Sequence, residues 1–336
     1  MSTGGTQSQA AGQAPAAKME RRAELSLGAL SSLALVLIVG MVVYVFVKAW
    51  PSFAHNGISW FGASGSVDQQ LTNIFNSPAN PKAYIYKIGT WPLLYATLLT
   101  TALSVLIGGV LSVFTAIFIV EFAPEQVRNS VSPIIRLLAA VPSVIYGLVG
   151  ILVLVPFVTN SVISEGRKQS VAGVVQLSGT CLIVAVIVLT LMISPIMIAI
   201  VADALRAVPR GWKEGALALG ANRWRVMWTV VVRAARPAII AAAVIASARA
   251  IGEGIMLAMV SGSVGFAPNP LDGVTFFFEP LRPYAATIVD NAEGLSVVPF
   301  GQTIYAIAAV LLITALALSL GGAAAKRPLR KYGVRL

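Results

Sequence analysis

Histidine and cysteine each occur once in 336 residues, and Asp and Glu together number only 13. With His55 as the single imidazole, an ordinary zinc site and a Ser-His-Asp triad both lose their usual donor. Cys181 stands alone in an apolar run, so neither a disulfide framework nor a thiolate metal site is expected. No G-x-x-x-x-G-K-[ST] loop is present to cradle nucleotide phosphates, and H-E-x-x-H and G-x-S-x-G are also missing. If ATP is used, another chain must bind it, and no cofactor is expected on this one. Charged residues make up 11% of the chain, where a soluble domain carries roughly a quarter.

What fills the gap is apolar. The composition is 57% hydrophobic and the mean hydropathy is +0.84, which defines an all-α polytopic membrane protein. A hydrocarbon core needs about 20 apolar residues per helix. Six stretches qualify: Leu25–Val47, Leu93–Val120, Ile134–Phe157, Thr180–Val201, Ala238–Val260 and Gly301–Gly321. The first is too long for a signal-peptide core and is followed by "VKAWPSF", so it reads as an uncleaved anchor. Residues 1–24 read as a disordered cytoplasmic tail, 25–321 as a six-helix transmembrane domain, and 322–336 as a basic cytoplasmic tail.

The net charge of +11 is explained by orientation rather than by nucleic acid, which is not expected as a partner. Lys18, Arg21 and Arg22 precede the first span; Arg128 and Arg136 follow the second; seven arginines and lysines from Arg206 to Arg236 follow the fourth; five more end the chain. The other side holds Lys48, Lys82, Lys87, Arg167, Lys168 and Arg282. The positive-inside rule then predicts that both termini are cytoplasmic, which six spans satisfy. Pro142, Ser143, Tyr146, Gly147 and Gly150 break up the third span and read as a packed face, with Pro142, Ser143 and Tyr146 as candidate pathway-lining residues. The outer connections, 52–92 and 261–299, place Trp60, Phe61, Trp91 and "TFFFEP" beside carboxylates. That combination suits either a docking surface for an external partner or an interfacial aromatic belt.

The loop Asp203–Pro237 carries the clearest pattern. "EGALALG" (Glu214–Gly220) predicts a short helix stopped by Gly220. Asn222 then caps a second, interfacial helix with Trp224 and Trp228 one turn apart. Glu214, Ala216 and Gly220, with nine residues before "VVVRAARP", resemble the EAA loop of ABC importer permeases. Gly215 replaces the middle alanine, and Arg233 replaces the family proline, with Pro237 four residues later. "IFIVEFAP", "LLAAVPSVIYGL", "LVLVPF" and "ARAIGE" together look like phosphate-import permeases of the PstC type. The resemblance implies a type I ABC importer permease fold and an ATPase that docks on Glu214, Gly215, Ala216 and Gly220. It also implies a second permease subunit (PstA-like), an ATP-binding subunit dimer (PstB-like), an external phosphate-binding protein (PstS-like), and inorganic phosphate as cargo. It places the chain in a bacterial inner membrane. The related PstA type, and permeases for sulfate or molybdate, share parts of the pattern.

One feature inside the fifth apolar run needs a separate explanation. Arg249 and Glu253, in "ARAIGEG", cost about 2.5–3.5 kcal/mol each at the centre of a membrane helix on insertion scales. Four residues apart, they are expected to share a helix face and to pair. A guanidinium suits a tetrahedral oxyanion, so Arg249 is read as drawing phosphate along the pathway and Glu253 as competing for Arg249 so that the anion leaves. A structural ion pair is the plainer alternative. A membrane-embedded enzyme using Glu253 or Asp203 as base, and a non-conducting phosphate sensor, are the readings from other classes.

Overall fold

A computed structural model describes residues 7–63 and 65–326, with side chains described for 24–63 and 65–324. The residues so described are helical apart from connecting loops and one isolated bridge, between Gly262 and Leu281. The chain divides into two units, Met1–Lys48 and Ala49–Leu336.

The described part of the first unit belongs to α1 (Gln7–Asn56). This helix is already formed at Gln7, inside the stretch read from sequence as a disordered tail; the alanines and glutamines there are good helix formers. From Glu24 to Tyr44 every residue is exposed, including Leu25, Leu33 and Val39. The basic C-terminal tail, from residue 327 onward, lies outside the described residues, as do the first six of the N-terminal one.

In the second unit α2 (Val67–Phe75) precedes α3 (Trp91–Phe122), then α4 (Glu125–Ala140), α5 (Ser143–Val162), α6 (Glu165–Val171) and α7 (Leu182–Arg206). Next come α8 (Arg210–Ala218), α9 (Arg223–Ile251), α10 (Ile255–Val260), α11 (Tyr284–Asp290) and α12 (Phe300–Lys326). Together with α1, five of these helices (α3, α5, α7, α9 and α12) are long and apolar enough to cross a membrane, so the described residues contain six such helices. At the centre, α3 lies along α7, and α9 packs on both. Small polar residues permit the close approach: Ser104 Oγ donates to the Val186 carbonyl at 3.3 Å, and Ser112 Oγ to the Ser194 carbonyl at 3.3 Å.

Two spans differ from the sequence reading. The third does not begin at Ile134, because residues 125–140 form the separate amphipathic helix α4 and the chain turns extended at Val141 and Pro142. The residue before a proline is pushed out of the helical region, which explains the break. The fifth does not run unbroken to Val260. It ends at Ile251, the chain breaks over Gly252–Gly254, and α10 resumes beyond.

The outer aromatics are also reassigned. Trp60 is fully buried, packed on Phe53, Phe61 and Tyr284, with its indole N–H given to Ser52 Oγ at 3.3 Å. Phe276, Phe278 and Glu279 are buried as well, while Phe61, Trp91 and Phe277 stay exposed. Most of "TFFFEP" is therefore core of the loop region and not a presented surface.

Candidate functional site

The loop after α7 folds as predicted in its first half. In α8 no residue is buried; Glu214 and Gly215 are exposed and Ala216 is half-buried. Gly220 ends the helix with φ +82°, its N–H given to the Leu217 carbonyl at 2.9 Å, while the Ala221 N–H reaches the Ala216 carbonyl at 3.2 Å. These two bonds form a Schellman motif, whose left-handed position is open to glycine without strain. Ala216 and Ala221 both pack on the apolar cluster that contains Val226 and Met227, the hydrophobic contact that accompanies this cap. Trp212, Leu217 and Leu219 are left exposed around it.

The second half departs from prediction. Asn222 caps as expected, accepting the Arg225 N–H at 2.8 Å, and Trp224 meets Trp228 at 5.7 Å. The helix it starts is not a separate interfacial one, however. It continues through a π turn at Met227–Val231 and past Pro237 as the fifth span itself. Pro237 removes only the bond its own N–H would make to the Arg233 carbonyl, and the helix carries on. One helix thus joins the Gly220 turn to Arg249, roughly 40 Å along its axis.

At the far end of α9, Arg249 sits in the last turn and Glu253 in the break that follows. Their closest atoms, Arg249 Nε and Glu253 Oε1, are 3.8 Å apart. That is an ion pair at its outer limit and too long for a hydrogen bond. Arg249 is 36% exposed and Glu253 15%. The two therefore pair, but across a helix end instead of along one helix face. The location bears on the insertion cost, because a cation in a last turn is stabilised by the helix dipole and the free carbonyls there. The break is closely packed: a Cβ on Gly254 would stand 2.7 Å from the Ala285 carbonyl oxygen of α11.

Tyr146 is half-buried, and its hydroxyl donates to the Leu138 carbonyl at 2.9 Å, tying α5 back to α4 across Pro142. Its ring packs on the apolar cluster that includes Ala246 and Ala250, the α9 residues flanking Arg249. Pro142 is exposed and Ser143 half-buried at the α4–α5 corner. On the next turn of α5, Gly147 and Gly150 admit α10: a Cβ would stand 2.9 Å from Met259 Sδ at Gly147, and 2.7 Å from Val260 Cγ1 at Gly150. Arg249, Glu253 and Tyr146 thus share one neighbourhood, while Glu214–Gly220 lies at the other end of α9.

Two features were not anticipated. Lys213 Nζ of α8 meets Glu121 Oε2 at the end of α3, 3.1 Å away, and Trp224 and Trp228 pack on Phe122 and Phe114. An acidic residue closing an apolar span, as in "IFIVEFAP", was the available signal. At the opposite end of the bundle, Arg282 Nη1 is 2.6 Å from Asp68 Oδ1 and its Nε 3.6 Å from Asp290 Oδ2, with a further bond from Nη2 to the Ser263 carbonyl. Asp68 also accepts the Gly265 N–H at 2.9 Å. A cleft of about 660 Å³ opens beside this knot, lined by Thr72, Asn291 and Glu293 among others.

An apolar helical bundle with an exposed helix–glycine-turn element between two of its spans has the architecture of the type I ABC importer permeases. The bacterial alginate ABC transporter, crystallised with its alginate-bound periplasmic protein, contains a chain that shares this fold with a TM-score of 0.59 at 17% identity, over 94% of this chain and 98% of that one. The chain belongs to the family described as the binding-protein-dependent transport system inner membrane component, whose model matches residues 108–328. It is 36% identical over 235 residues to the probable ABC transporter permease protein YqgH of Bacillus subtilis, covering 70% of this chain and 69% of that protein. To the probable phosphate transport system permease protein PstC of Methanocaldococcus jannaschii it is 29% identical over 232 residues, covering 68% and 70%. The chain is thus a multi-pass membrane subunit of an ABC importer, and its relatives are transport permeases.

Proposed function

We propose that this chain is the PstC-type permease of an ATP-driven phosphate importer and forms half of the translocation pathway. The observation that carries the reading is the continuity of α9, which runs without interruption from just after the Gly220 turn to Arg249. Both termini and α8 face the cytoplasm in this reading. A separate ATP-binding dimer, PstB-like, receives α8 through Glu214, Gly215, Ala216 and the exposed Leu217 and Leu219. A PstA-like permease supplies the other half of the pathway, and a PstS-like protein delivers inorganic phosphate from outside. This chain binds no cofactor and performs no covalent chemistry. Support for phosphate over another oxyanion comes from relatives named as phosphate permeases.

The mechanism follows from the end of α9. With its carboxylate at 3.8 Å, Arg249 is held without a tight bidentate clamp, so its donors are available to an oxyanion. Phosphate arriving at Arg249 displaces Glu253 as partner. When a stroke on α8 is transmitted along α9, the geometry at the Gly252–Gly254 break changes, Glu253 regains Arg249, and the anion is released. The experiment is uptake into vesicles holding this chain, its partner permease and the ATPase, fed by the loaded binding protein. ATP-dependent accumulation of phosphate is expected, unaffected by excess sulfate or molybdate. Accumulation of sulfate or molybdate in its place overturns the anion assignment, and phosphate entering without ATP overturns the importer reading.

A further inference from the structure

Arg128, Ser132 and Arg136 recur every fourth residue on α4, so they stand on one face of that helix. Opposite them is Arg206, in the last turn of α7. The three arginines, with Asn129, Pro133 and Leu137, line a groove of about 650 Å³. Beside it Asp203 Oδ1 is 3.2 Å from Arg206 Nη1. The described residues lining the groove include three guanidiniums and no carboxylate. Arg128 is oriented by Nη2, which donates to the Ala123 carbonyl at 3.3 Å. Like charges lining one groove repel one another, and an anion seated between them relieves that repulsion.

We infer that this groove binds a phosphate-bearing anion at the membrane surface, either the headgroup of an anionic phospholipid or free phosphate. Arginine offers planar paired donors that match phosphate oxygens, and Ser132 and Asn129 add neutral donors beside them. The wall of the groove favours the lipid source. Leu137 is 70% exposed and Ile134 53%, giving α4 a basic face beside an apolar one, the pattern of helices that lie in the interface. On the orientation proposed above α4 meets the inner leaflet, where anionic headgroups attract basic side chains. The site is separate from Arg249 and does not depend on which anion is transported.

The test uses the assembled transporter in phosphatidylcholine nanodiscs with or without phosphatidylglycerol, counting retained phosphatidylglycerol by native mass spectrometry. In the discs without it, inorganic phosphate is titrated and followed by ³¹P NMR; Arg249 is intact in every variant, so differences report the groove. Arg128→Gln with Arg136→Gln is expected to weaken binding roughly thirtyfold. Arg223→Gln with Arg225→Gln, two exposed arginines outside the groove, leaves it unchanged. Arg136→Gln alone, at an exposed position that folding tolerates, gives about a fivefold loss. Loss of phosphatidylglycerol identifies the source as lipid, and loss of inorganic phosphate binding alone identifies it as the free anion. Wild-type retention of both by the groove variants, or equal loss in the Arg223/Arg225 variant, overturns the inference.

Discussion

Lys213 Nζ lies 3.1 Å from Glu121 Oε2, which joins the exposed helix α8 to the end of α3 by a half-buried ion pair. A force applied to α8 therefore has two routes into the bundle, one through the Gly220 turn into α9 and one through this pair into α3. Breaking it by Lys213→Met or Glu121→Gln is expected to cost only about 0.5–1 kcal/mol of stability, while ATP hydrolysis becomes less tightly linked to uptake. Parallel assays of hydrolysis and uptake check this, and the double reversal Glu121→Lys with Lys213→Glu should recover part of the linkage. Unchanged linkage in both single variants removes the α3 route.

Gly220→Ala tests the turn. At φ +82° a side chain costs about 1–2 kcal/mol, and the Schellman bonds that orient α8 weaken with it. The expected outcome is a bundle with nearly wild-type melting temperature that recovers less ATPase on purification. Normal ATPase recovery with normal uptake shows that the turn does not set the docking geometry.

Gly150→Leu tests the packing of α5 on α10. With Val260 Cγ1 2.7 Å and Val188 Cγ2 3.0 Å from even a Cβ, overpacking of about 1–3 kcal/mol follows, seen as a lower melting temperature of the purified chain. Gly28→Leu, on α1 with nothing within 4 Å, is the matched control and should leave it unchanged.

Glu279 predicts a pH dependence. Burial lifts its carboxyl above the ordinary 4.5; the Asn269 N–H opposes the shift and the neighbouring Asp272 charge adds to it. The folded protein then holds this proton more tightly than the unfolded chain, so stability falls as pH rises from 4.5 through the raised value. Melting curves between pH 4.5 and neutrality should show that slope, and Glu279→Gln should remove its share. An identical slope in the variant contradicts the assignment.

Much of this architecture was legible in the chain. Six apolar runs gave the six spans, and "EGALALG" gave both α8 and its glycine stop, because local propensity and a left-handed cap are properties of a few consecutive residues. What escaped depends on partners distant in sequence. Nothing local to Gly252–Gly254 announces that α11 approaches closely enough to exclude a side chain at Gly254. For the same reason Trp60 read as a surface aromatic, since Tyr284, which helps bury it, is over two hundred residues away. The C-terminal half of α4 was merged into the third apolar run because hydropathy averaging passes over Arg136 and the extended pair Val141–Pro142. The proximity of Arg249 and Glu253 was readable from their spacing, but their place at a helix end was not.

The central claim is that Arg249 handles the anion while Glu253 governs its departure. It is tested most directly by ATP-driven uptake of radiolabelled phosphate into vesicles containing the complete transporter with Arg249→Gln, hydrolysis being measured on the same vesicles. Loss of a charge-assisted contact predicts uptake reduced by about tenfold or more, with binding-protein-stimulated hydrolysis retained. Wild-type uptake by Arg249→Gln contradicts the account.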